Sequence, residues 1–301
     1  MAKILVTGAS GLLGTEICRQ LMAEGHEVWA VDNHSRSSII PPCSQWLKVD
    51  LLDAESYRQL PTDFEYIYHY AAINGTKNFY ERPLQVISNN FISDIKMFEF
   101  AASCKNLLKI VYASSSEIVS DDPESPVSEN TDITIRNIHN SRWSYRLAKV
   151  CSENYLTNSE LPYVICRYFN IYGEDSKAGH FIADQMEKIG RGVFEVTGAN
   201  ETRSFCYVED GIRATIYCGF NVHRDVVNIG NDVETPIVEA AETIARAMGI
   251  AEPKFTLLEG KPGSTQTRRP NISKLRSIMQ DYRPRTFAEG MAKIVAAKAQ
   301  K

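Results

Sequence analysis

The sequence predicts an α/β fold in which a doubly wound parallel sheet is followed by a smaller mixed α/β cap. Short runs of β-branched and other apolar residues alternate with helical patterns through the first 170 residues. A glycine-rich turn separates the first apolar run from the first helical pattern. The alternation then breaks down, and shorter elements follow.

The alternating elements can be placed in order along the chain. Strands are predicted at residues 3–7, 27–32, 46–50, 66–70, 107–114 and 163–167. Helices are predicted at residues 11–24, 84–103 and 142–156. Strands joined by helical crossovers pair in parallel, which is why a doubly wound sheet is expected.

The last 130 or so residues predict a different organisation. Shorter strands are predicted at residues 193–196, 203–208, 226–229 and 255–258, with helices near 178–191, 209–220, 236–248 and 286–298. Glycine and proline cluster at residues 260–270, which predicts a loop. We therefore expect residues 1–170 to form the sheet domain, with elements near 205–235 returning to it, and residues 171–301 to form mainly a cap.

Composition excludes several classes of protein. Lysine and arginine total 33 against 37 aspartate and glutamate residues, a balance that argues against a nucleic-acid surface. No apolar run approaches the ~20 residues of a membrane span. The seven cysteines form no C-x-x-C pair and predict buried side chains in a reducing, cytoplasmic protein. The six histidines lack metal-ligand spacing, so no metal is expected.

Residues 7–14, TGASGLLG, form a turn between the first strand and the first helix. Gly8, Gly11 and Gly14 have the spacing G-x-x-G-x-x-G, which allows backbone and the helix N-terminus to approach a pyrophosphate. Asp32 ends the second strand, where a carboxylate accepts hydrogen bonds from a ribose and repels a 2′-phosphate. The pattern favours NAD, while Arg36 leaves NADP open as the alternative.

A second motif predicts acid–base chemistry. Tyr145 and Lys149 lie at positions i and i+4 of one predicted helix. An ammonium nearby, together with an oxidised nicotinamide, would lower the tyrosine pKa from ~10 and make the phenol a base. Ser115 stands where the fifth strand ends, the edge at which ligands approach such a sheet.

These motifs resemble the NAD-dependent epimerase/dehydratase family, extended short-chain dehydrogenases/reductases that act on nucleotide sugars. The resemblance covers essentially the whole chain. Matching segments are TGASGLLG at 7–14, Asp-Leu at 50–51, Tyr-Ala-Ala at 70–72, RYFNIYG at 167–173, RSFCYVED at 203–210 and the arginine at 269. The resemblance implies a Rossmann-type domain that holds NAD and a cap that binds the sugar nucleotide.

The motifs and the resemblance together give a set of candidate site residues. The catalytic candidates are Ser115, Glu117, Tyr145 and Lys149. The candidates for cofactor binding are Gly8, Ser10, Gly11, Leu12, Leu13, Gly14, Asp32, Asn33, Asp50, Leu51, Tyr70, Ala71, Ala72, Asn90, Tyr145 and Lys149. The candidates for substrate binding are Ser115, Ser116, Asn170, Arg203 and Arg269.

The resemblance implies that tightly bound NAD transiently oxidises a sugar C4 hydroxyl, followed by epimerisation, dehydration or decarboxylation. Glu117, two residues after the catalytic serine, is typical of dehydratases and UDP-glucuronate decarboxylases rather than simple 4-epimerases. It would abstract a proton in a dehydratase or position the substrate in a decarboxylase. Departures lie at residues 117–120, EIVS in place of E-V-Y-G, and at Ser204 and Asn271, which replace aspartates.

Two other functions stay open at this point. One is a reductase that consumes external NAD(P)H on a ketone. The other is a non-catalytic NAD-binding regulator, which would have no need of Ser115, Tyr145 and Lys149. The resemblance also implies a homodimer, formed through a four-helix bundle of the helices at 84–103 and 142–156.

Overall fold

The structure, a computed structural model, describes residues 1–119, 125–135, 137–176, 179–260 and 265–299. The chain divides into two compact units. The first unit comprises Met1–Ile118, Arg136–Arg167 and Ile212–Val227. The second unit comprises Val119–Ile135, Tyr168–Gly211 and Asn228–Lys301.

Strands and helices alternate through the first unit and shorten in the second. The strands are β1 (Lys3–Thr7), β2 (Glu27–Asp32), β3 (Gln45–Lys48), β4 (Tyr66–His69), β5 (Lys109–Ser115), β6 (Tyr163–Tyr168), β7 (Ile171–Tyr172), β8 (Glu195–Thr197), β9 (Thr202–Ser204), β10 (Cys206–Tyr207), β11 (Asp225–Ile229), β12 (Glu234–Pro236), β13 (Thr256–Leu258) and β14 (Thr267–Arg268). The α-helices are α1 (Leu12–Ala23), α2 (Thr76–Glu81), α3 (Pro83–Ser103), α4 (Trp143–Thr157), α5 (Phe181–Gly190), α6 (Val208–Asn221), α7 (Ile237–Ala247), α8 (Ser273–Ile278) and α9 (Phe287–Ala299). Short 3-10 helices cover Ala54–Gln59 and Ser116–Ile118.

A seven-stranded sheet of order β11-β6-β5-β4-β1-β2-β3 confirms the predicted fold class. Strand β1 pairs in parallel with both β2 and β4, and the β2–β3 and β4–β5 pairs are parallel as well. The order reverses between β1 and β4, which makes this pair the topological switch point. Ligands of doubly wound sheets bind outside the carboxyl ends of the strands at such a point.

Each unit has its own hydrophobic core. In the first unit, inward-facing residues of the sheet pack against apolar side chains of α3 and α4, including Leu5, Ile67, Ile110, Met97 and Leu156. In the second unit, α5, α7 and α9 bury an apolar face around Tyr172, Val196 and Phe205. Five cysteines are buried, but Cys43 is half-buried and Cys151 is exposed, so the expectation of buried cysteines was wrong for these two.

Several predicted elements differ from those observed. Residues 203–208 were expected to form one strand but divide into β9 and β10, which belong to different sheets. The region 260–270, expected to be a loop, contains β14, while residues 261–264 lie outside the described ranges. The elements β7, β12, α2 and α8 were missed because they are two to six residues long. Periodicity is weak over such short segments.

A matched pair of substitutions tests the packing of the glycine turn. A Cβ on Gly14 would lie 2.2 Å from the Gly8 carbonyl oxygen and 2.7 Å from the Ala9 Cα. We expect Gly14→Ala to lower the free energy of unfolding by about 1–3 kcal/mol, because backbone must move. At exposed Gly11 the Cβ would lie 3.2 Å from the Gly8 oxygen, and Gly11→Ala should change that free energy by less than about 0.5 kcal/mol. Urea unfolding measures both; equal losses would contradict the packing argument.

Candidate active site

The glycine turn lies against the end of β4. Gly8 has a positive φ of 66°, and a Cβ there would be 2.6 Å from the Ala71 nitrogen. Gly11 is the N-cap of α1, and the first amides of a helix have no partner one turn earlier. A side chain at Gly11 would point into space that the described protein atoms leave largely open. The turn is therefore shaped to receive a group such as a pyrophosphate.

The residues at the end of β2 present a fixed carboxylate. Asp32 accepts hydrogen bonds from the Ser10 amide at 3.2 Å and the His34 amide at 2.7 Å. These bonds orient its two oxygens beside the glycine turn. The Ser10 hydroxyl donates to the Ile39 carbonyl oxygen at 2.6 Å, and Asn33 is exposed. This arrangement fits a ribose diol at Asp32.

The remaining cofactor candidates lie after β3 and β4. The Asp50 carboxylate accepts from the Leu52 amide at 3.0 Å, whereas Leu51 is part of the core. Asn90 clamps the backbone of Ile73, accepting from its N–H at 2.6 Å and donating to its carbonyl at 3.0 Å. The amide of Asn90 thus braces the segment that follows β4, which includes Tyr70, Ala71 and Ala72.

Ser115 and Tyr145 come together where β5 ends. The Ser115 hydroxyl oxygen accepts from the Glu117 amide at 3.1 Å, and the Ser115 side chain lies near enough to the Tyr145 phenol to lower its pKa. Tyr145 lies in the first turn of α4 and is 4% exposed. Its ring stacks on Phe79 of α2, with centroids 4.9 Å apart and planes 17° apart. Neighbouring Ser116 is buried.

Glu117 is held by two arginines that were not among the candidates. Arg142, the N-cap of α4, donates to both carboxylate oxygens, at 2.9 and 3.2 Å. Arg146, one turn further on, approaches to 3.4 Å and is 1% exposed. Burial disfavours the charge of Arg142, but the Glu117 carboxylate raises the Arg142 pKa above its ordinary value. A carboxylate in such an ion pair is a weak base.

Lys149 is buried in a polar network that the sequence did not reveal. Its ammonium donates to the Tyr112 hydroxyl at 3.0 Å and lies 3.6 Å from the Asp94 carboxylate. Asp94 also accepts hydrogen bonds from Tyr112 at 2.5 Å and Ser152 at 2.8 Å. Within the described residues, then, the bonds of Lys149 are to Tyr112 and Asp94, not to Tyr145. One sequence signal could have revealed this network: Asp94 is an aspartate on the apolar face of the helix predicted at residues 84–103.

The tyrosine pKa in the protein alone is raised, whereas the expected lowering concerns the state with bound NAD. Burial, reinforced by the charges of Asp94 and Glu117, raises the pKa of Tyr145 above its ordinary value. The Ser115 side chain opposes this shift only in part. The sequence predicted a lowered pKa from Lys149 together with an oxidised nicotinamide. In the protein alone, desolvation is the largest influence on the Tyr145 pKa, and the phenol is neutral.

The substrate candidates Asn170, Arg203 and Arg269 lie in the second unit. Asn170 has a φ of 41°, and its amide donates to the Ser204 carbonyl at 2.9 Å. Arg203 is ion-paired with Glu201 at 2.6 Å, and Arg269 lies 3.7 Å from Glu234. Both guanidinium groups therefore have acidic neighbours, which reduces the local positive charge expected of them.

Within the described ranges, no helix is long and apolar enough to cross a membrane. The same residues contain no group of three histidine, cysteine, aspartate or glutamate side chains that could hold a metal ion.

The strand order, the glycine turn and the Ser–Tyr–Lys set define a dinucleotide-binding α/β protein of the short-chain dehydrogenase/reductase type. A model of the NAD dependent epimerase/dehydratase family matches residues 4–230, and the chain belongs to that family.

Relatives with different reactions match the chain over most of its length. A UDP-N-acetyl-α-D-glucosaminuronate decarboxylase from Bacillus cytotoxicus is 27% identical, over 97% of this chain and 96% of its own. A Methanocaldococcus jannaschii protein named provisionally as a UDP-glucose 4-epimerase is 30% identical over 82% of each chain. The UDP-N-acetylglucosamine 4-epimerase of Methanobrevibacter ruminantium, solved with UDP-N-acetylmuramic acid, superposes with a TM-score of 0.86 at 24% identity, covering 100% and 99% of the chains.

The raised pKa of Tyr145 predicts its titration. We expect the phenol to stay protonated in the protein alone at a pH where an exposed tyrosine is half ionised, ~10. Ultraviolet absorbance of tyrosinate, taken as the difference between wild type and Tyr145→Phe, measures this group. Adding NAD should move the ionisation to lower pH, because a positive nicotinamide favours the phenolate. Ionisation below pH ~10 without NAD would contradict the desolvation argument.

Proposed function

We propose that this protein is an NAD-dependent enzyme that transiently oxidises the C4 hydroxyl of a nucleotide-diphosphate uronic acid and releases its carboxylate as carbon dioxide. The observation that carries the proposal is the grouping of half-buried Ser115 and Glu117 with buried Tyr145, in which Glu117 is ion-paired to Arg142. The cluster lies at the carboxyl end of β5, in the unit that contains the glycine turn.

The first unit fits NAD. The amides of Leu12, Leu13 and Gly14 at the start of α1 would face the pyrophosphate, and Asp32 would accept from the adenosine ribose. A 2′-phosphate would meet the Asp32 carboxylate, which favours NAD over NADP. Bound NAD supplies an acceptor for hydride and later returns it. The second unit would bind the nucleotide diphosphate through Asn170, Arg203 and Arg269.

The chain's own groups would move the protons. Once Tyr145 is ionised, its oxygen takes the proton of the sugar C4 hydroxyl as that carbon loses hydride. The Ser115 hydroxyl, already oriented by the Glu117 amide, donates a hydrogen bond to the same sugar oxygen. Lys149 supplies the positive charge that favours the phenolate. A non-catalytic regulator would have no need of Ser115, Tyr145 and Lys149. Because the chain contains all three, their presence argues against that alternative.

The state of Glu117 favours decarboxylation over dehydration. A dehydratase needs a free base for the C5 proton, and Glu117 is held by Arg142 and Arg146. A 4-keto uronic acid is a β-keto acid, whose C5–C6 bond breaks without a base as its electrons move into the carbonyl. The resulting enolate would then take a proton from water at C5, before hydride returns to C4. The guanidinium groups of Arg142 and Arg146 both lie at this carboxylate, and guanidinium groups are well suited to bind the carboxylate of an anionic sugar. The decarboxylase from Bacillus cytotoxicus supports this choice.

A simple 4-epimerase is the second candidate. The 30% identical relative from Methanocaldococcus jannaschii favours it. It would use the same oxidation and return the hydride to the other face of the 4-keto sugar. No further acid–base group is needed for that outcome, and Glu117 would then serve only to fix the start of α4.

We also propose a homodimer formed through α3 and α4. Both helices carry large apolar side chains that are exposed in the monomer, with Leu84 80%, Ile92 45% and Tyr155 41% exposed. The two helices pack on each other, and a second copy of this pair would complete a four-helix bundle that buries these side chains.

A panel of nucleotide sugars and uronic acids, with mass spectrometry of the products, tests the proposed reaction. We expect NAD to copurify, no net release of NADH, and loss of ~44 mass units from one uronic acid. Tyr145→Phe should lower turnover by roughly 10²–10⁴-fold and change nucleotide-sugar affinity little. Loss of ~18 mass units would mean dehydration, and an isomer of unchanged mass would mean epimerisation. Stoichiometric NADH consumption would identify a reductase instead.

Glu117→Gln separates positioning from base catalysis. If Glu117 holds Arg142 beside the sugar carboxylate, oxidation of bound substrate should proceed within about threefold of wild type. The later step should slow by about 10²-fold, because the guanidinium is misplaced. Stopped-flow absorbance of Glu117→Gln would then show NADH that forms at a near-normal rate and persists because the later step is slow.

Arg142→Lys is the matched control for this experiment. It keeps the charge but loses the bidentate geometry, so the same stall is expected. If Arg142→Lys shows wild-type kinetics while Glu117→Gln stalls, Glu117 acts as a base. Wild-type kinetics in both variants would favour the epimerase.

A further inference from the structure

Asp94 is a charged residue at the centre of the core of the first unit. It lies on α3 and is 0% exposed. Four side chains from three other elements contact its carboxylate: His69, Tyr112, Lys149 and Ser152. The proposed reaction uses only one of these partners directly, which leaves the carboxylate itself without an assigned role.

Burial disfavours the charged form of Lys149. The lysine is 2% exposed, and desolvation lowers its pKa, while the Asp94 carboxylate at 3.6 Å opposes that shift. The same ammonium lowers the pKa of Asp94 against its own desolvation. Each charge therefore depends on the other, since an isolated ion in such an interior is strongly disfavoured.

The geometry also fixes where the ammonium lies. The Tyr112 hydroxyl donates to Asp94 and accepts from Lys149 at 3.0 Å, so its oxygen bridges the two charges. The Lys149 ammonium lies over the Tyr112 ring, 4.4 Å from the centroid. Asp94 and Tyr112 together give the ammonium a defined position on the buried side of α4.

The opposite side of Asp94 is anchored to the switch point of the sheet. His69 Nε2 lies 2.9 Å from the carboxylate, and its Nδ1 lies 2.6 Å from the Thr7 hydroxyl. The Thr7 oxygen accepts from the Ala71 amide at 3.3 Å, beside the glycine turn. The carboxylate is thus tied to the ends of both β1 and β4, where the cofactor would bind.

We propose that Asp94 is a positioning residue that keeps Lys149 protonated and fixed in place for its action on Tyr145. The proposal rests on the proposed oxidation step and deepens it, because that step needs Lys149 as a cation. Asp94 itself would touch neither substrate nor cofactor. Its effect would reach the chemistry only through Lys149.

Asp94 has a second, opposing effect that the test must separate. Its negative charge also disfavours the Tyr145 phenolate. Removing the charge would therefore assist Tyr145 directly while depriving Lys149 of its counter-ion. The titratable groups that face this cluster are Tyr57, His69, Tyr112, Tyr145, Lys149 and Glu153.

The test follows NADH formation in single turnovers of NAD-loaded wild type and Asp94→Asn across pH. We expect Asp94→Asn to lower the neutral-pH rate by roughly ten- to a thousandfold. The alkaline limb of the pH–rate profile, where the rate falls as pH rises, should move to lower pH by at least about one unit. KM should change by less than about threefold. An unmoved alkaline limb would overturn the proposal. A lowered acid limb with no loss of rate would also overturn it, because Asp94 would then act on Tyr145 alone.

Two further variants distinguish charge from packing. Ser152→Ala removes a hydrogen bond to Asp94 but leaves both charges, so its pH profile should match wild type. Tyr112→Phe keeps the charges and removes the bridging oxygen, so we expect a slower rate with the alkaline limb in place. If Asp94→Asn does not fold, a wild-type rate in Tyr112→Phe would still overturn the positioning role.

A measurement without substrate separates this proposal from the proposed function. Nitrogen-15 NMR of labelled lysines, with Lys149→Met for assignment, follows the ammonium of Lys149 as pH rises. It should deprotonate at higher pH in wild type than in Asp94→Asn. If no nucleotide sugar is turned over, the proposed function fails and this comparison still decides the role of Asp94. Identical titrations would overturn it.

Discussion

The close approach of the glycine turn to the end of β4 is the constraint on which the site depends. Only a residue without a side chain fits at Gly8, whose Cβ would lie 2.6 Å from the Ala71 nitrogen. This approach holds the N-terminus of α1 against the switch point of the sheet. The same two strands place Thr7 opposite His69 in register, and their side chains meet at 2.6 Å. One backbone contact therefore locates both the glycine turn that is proposed to receive the cofactor and one end of the buried polar network.

Buried charge is the second organising feature of the first unit. Asp94 with Lys149, Glu117 with Arg142, and Glu153 with Arg167 all involve α4 or its N-cap. Buried ion pairs stabilise folds little, since desolvation offsets most of the attraction. Such pairs are thus poor candidates for a purely structural role. For Asp94 with Lys149 and for Glu117 with Arg142, the proposed function gives a reason: the pairs would hold a cation and a carboxylate in fixed positions near Tyr145.

The sequence predicted the elements whose signals are local. The strands β1 and β2, the glycine turn and the helix bearing Tyr145 follow from periodicity and spacing within a few residues. The partners of the site could not be predicted in that way. His69 and Ser152 reach Asp94 across 25 and 58 residues of chain. The sequence predicted Glu117 as a catalytic candidate. Its ion-pair partners Arg142 and Arg146, 25 and 29 residues away, were not predicted, and the proposed role of Glu117 depends on them.

The two charges near Tyr145 have a consequence for the order of events. Burial, Asp94 and Glu117 all oppose the phenolate, so Tyr145 is neutral in the protein alone and is covered by Phe79. A positive nicotinamide would offset the two carboxylates, and Lys149 would add to its effect. The base would then form only when the hydride acceptor is already in place. In the proposed reaction, this coupling would keep Tyr145 from removing a substrate proton before the hydride can leave, because the Asp94 charge opposes the phenolate while it favours the Lys149 ammonium.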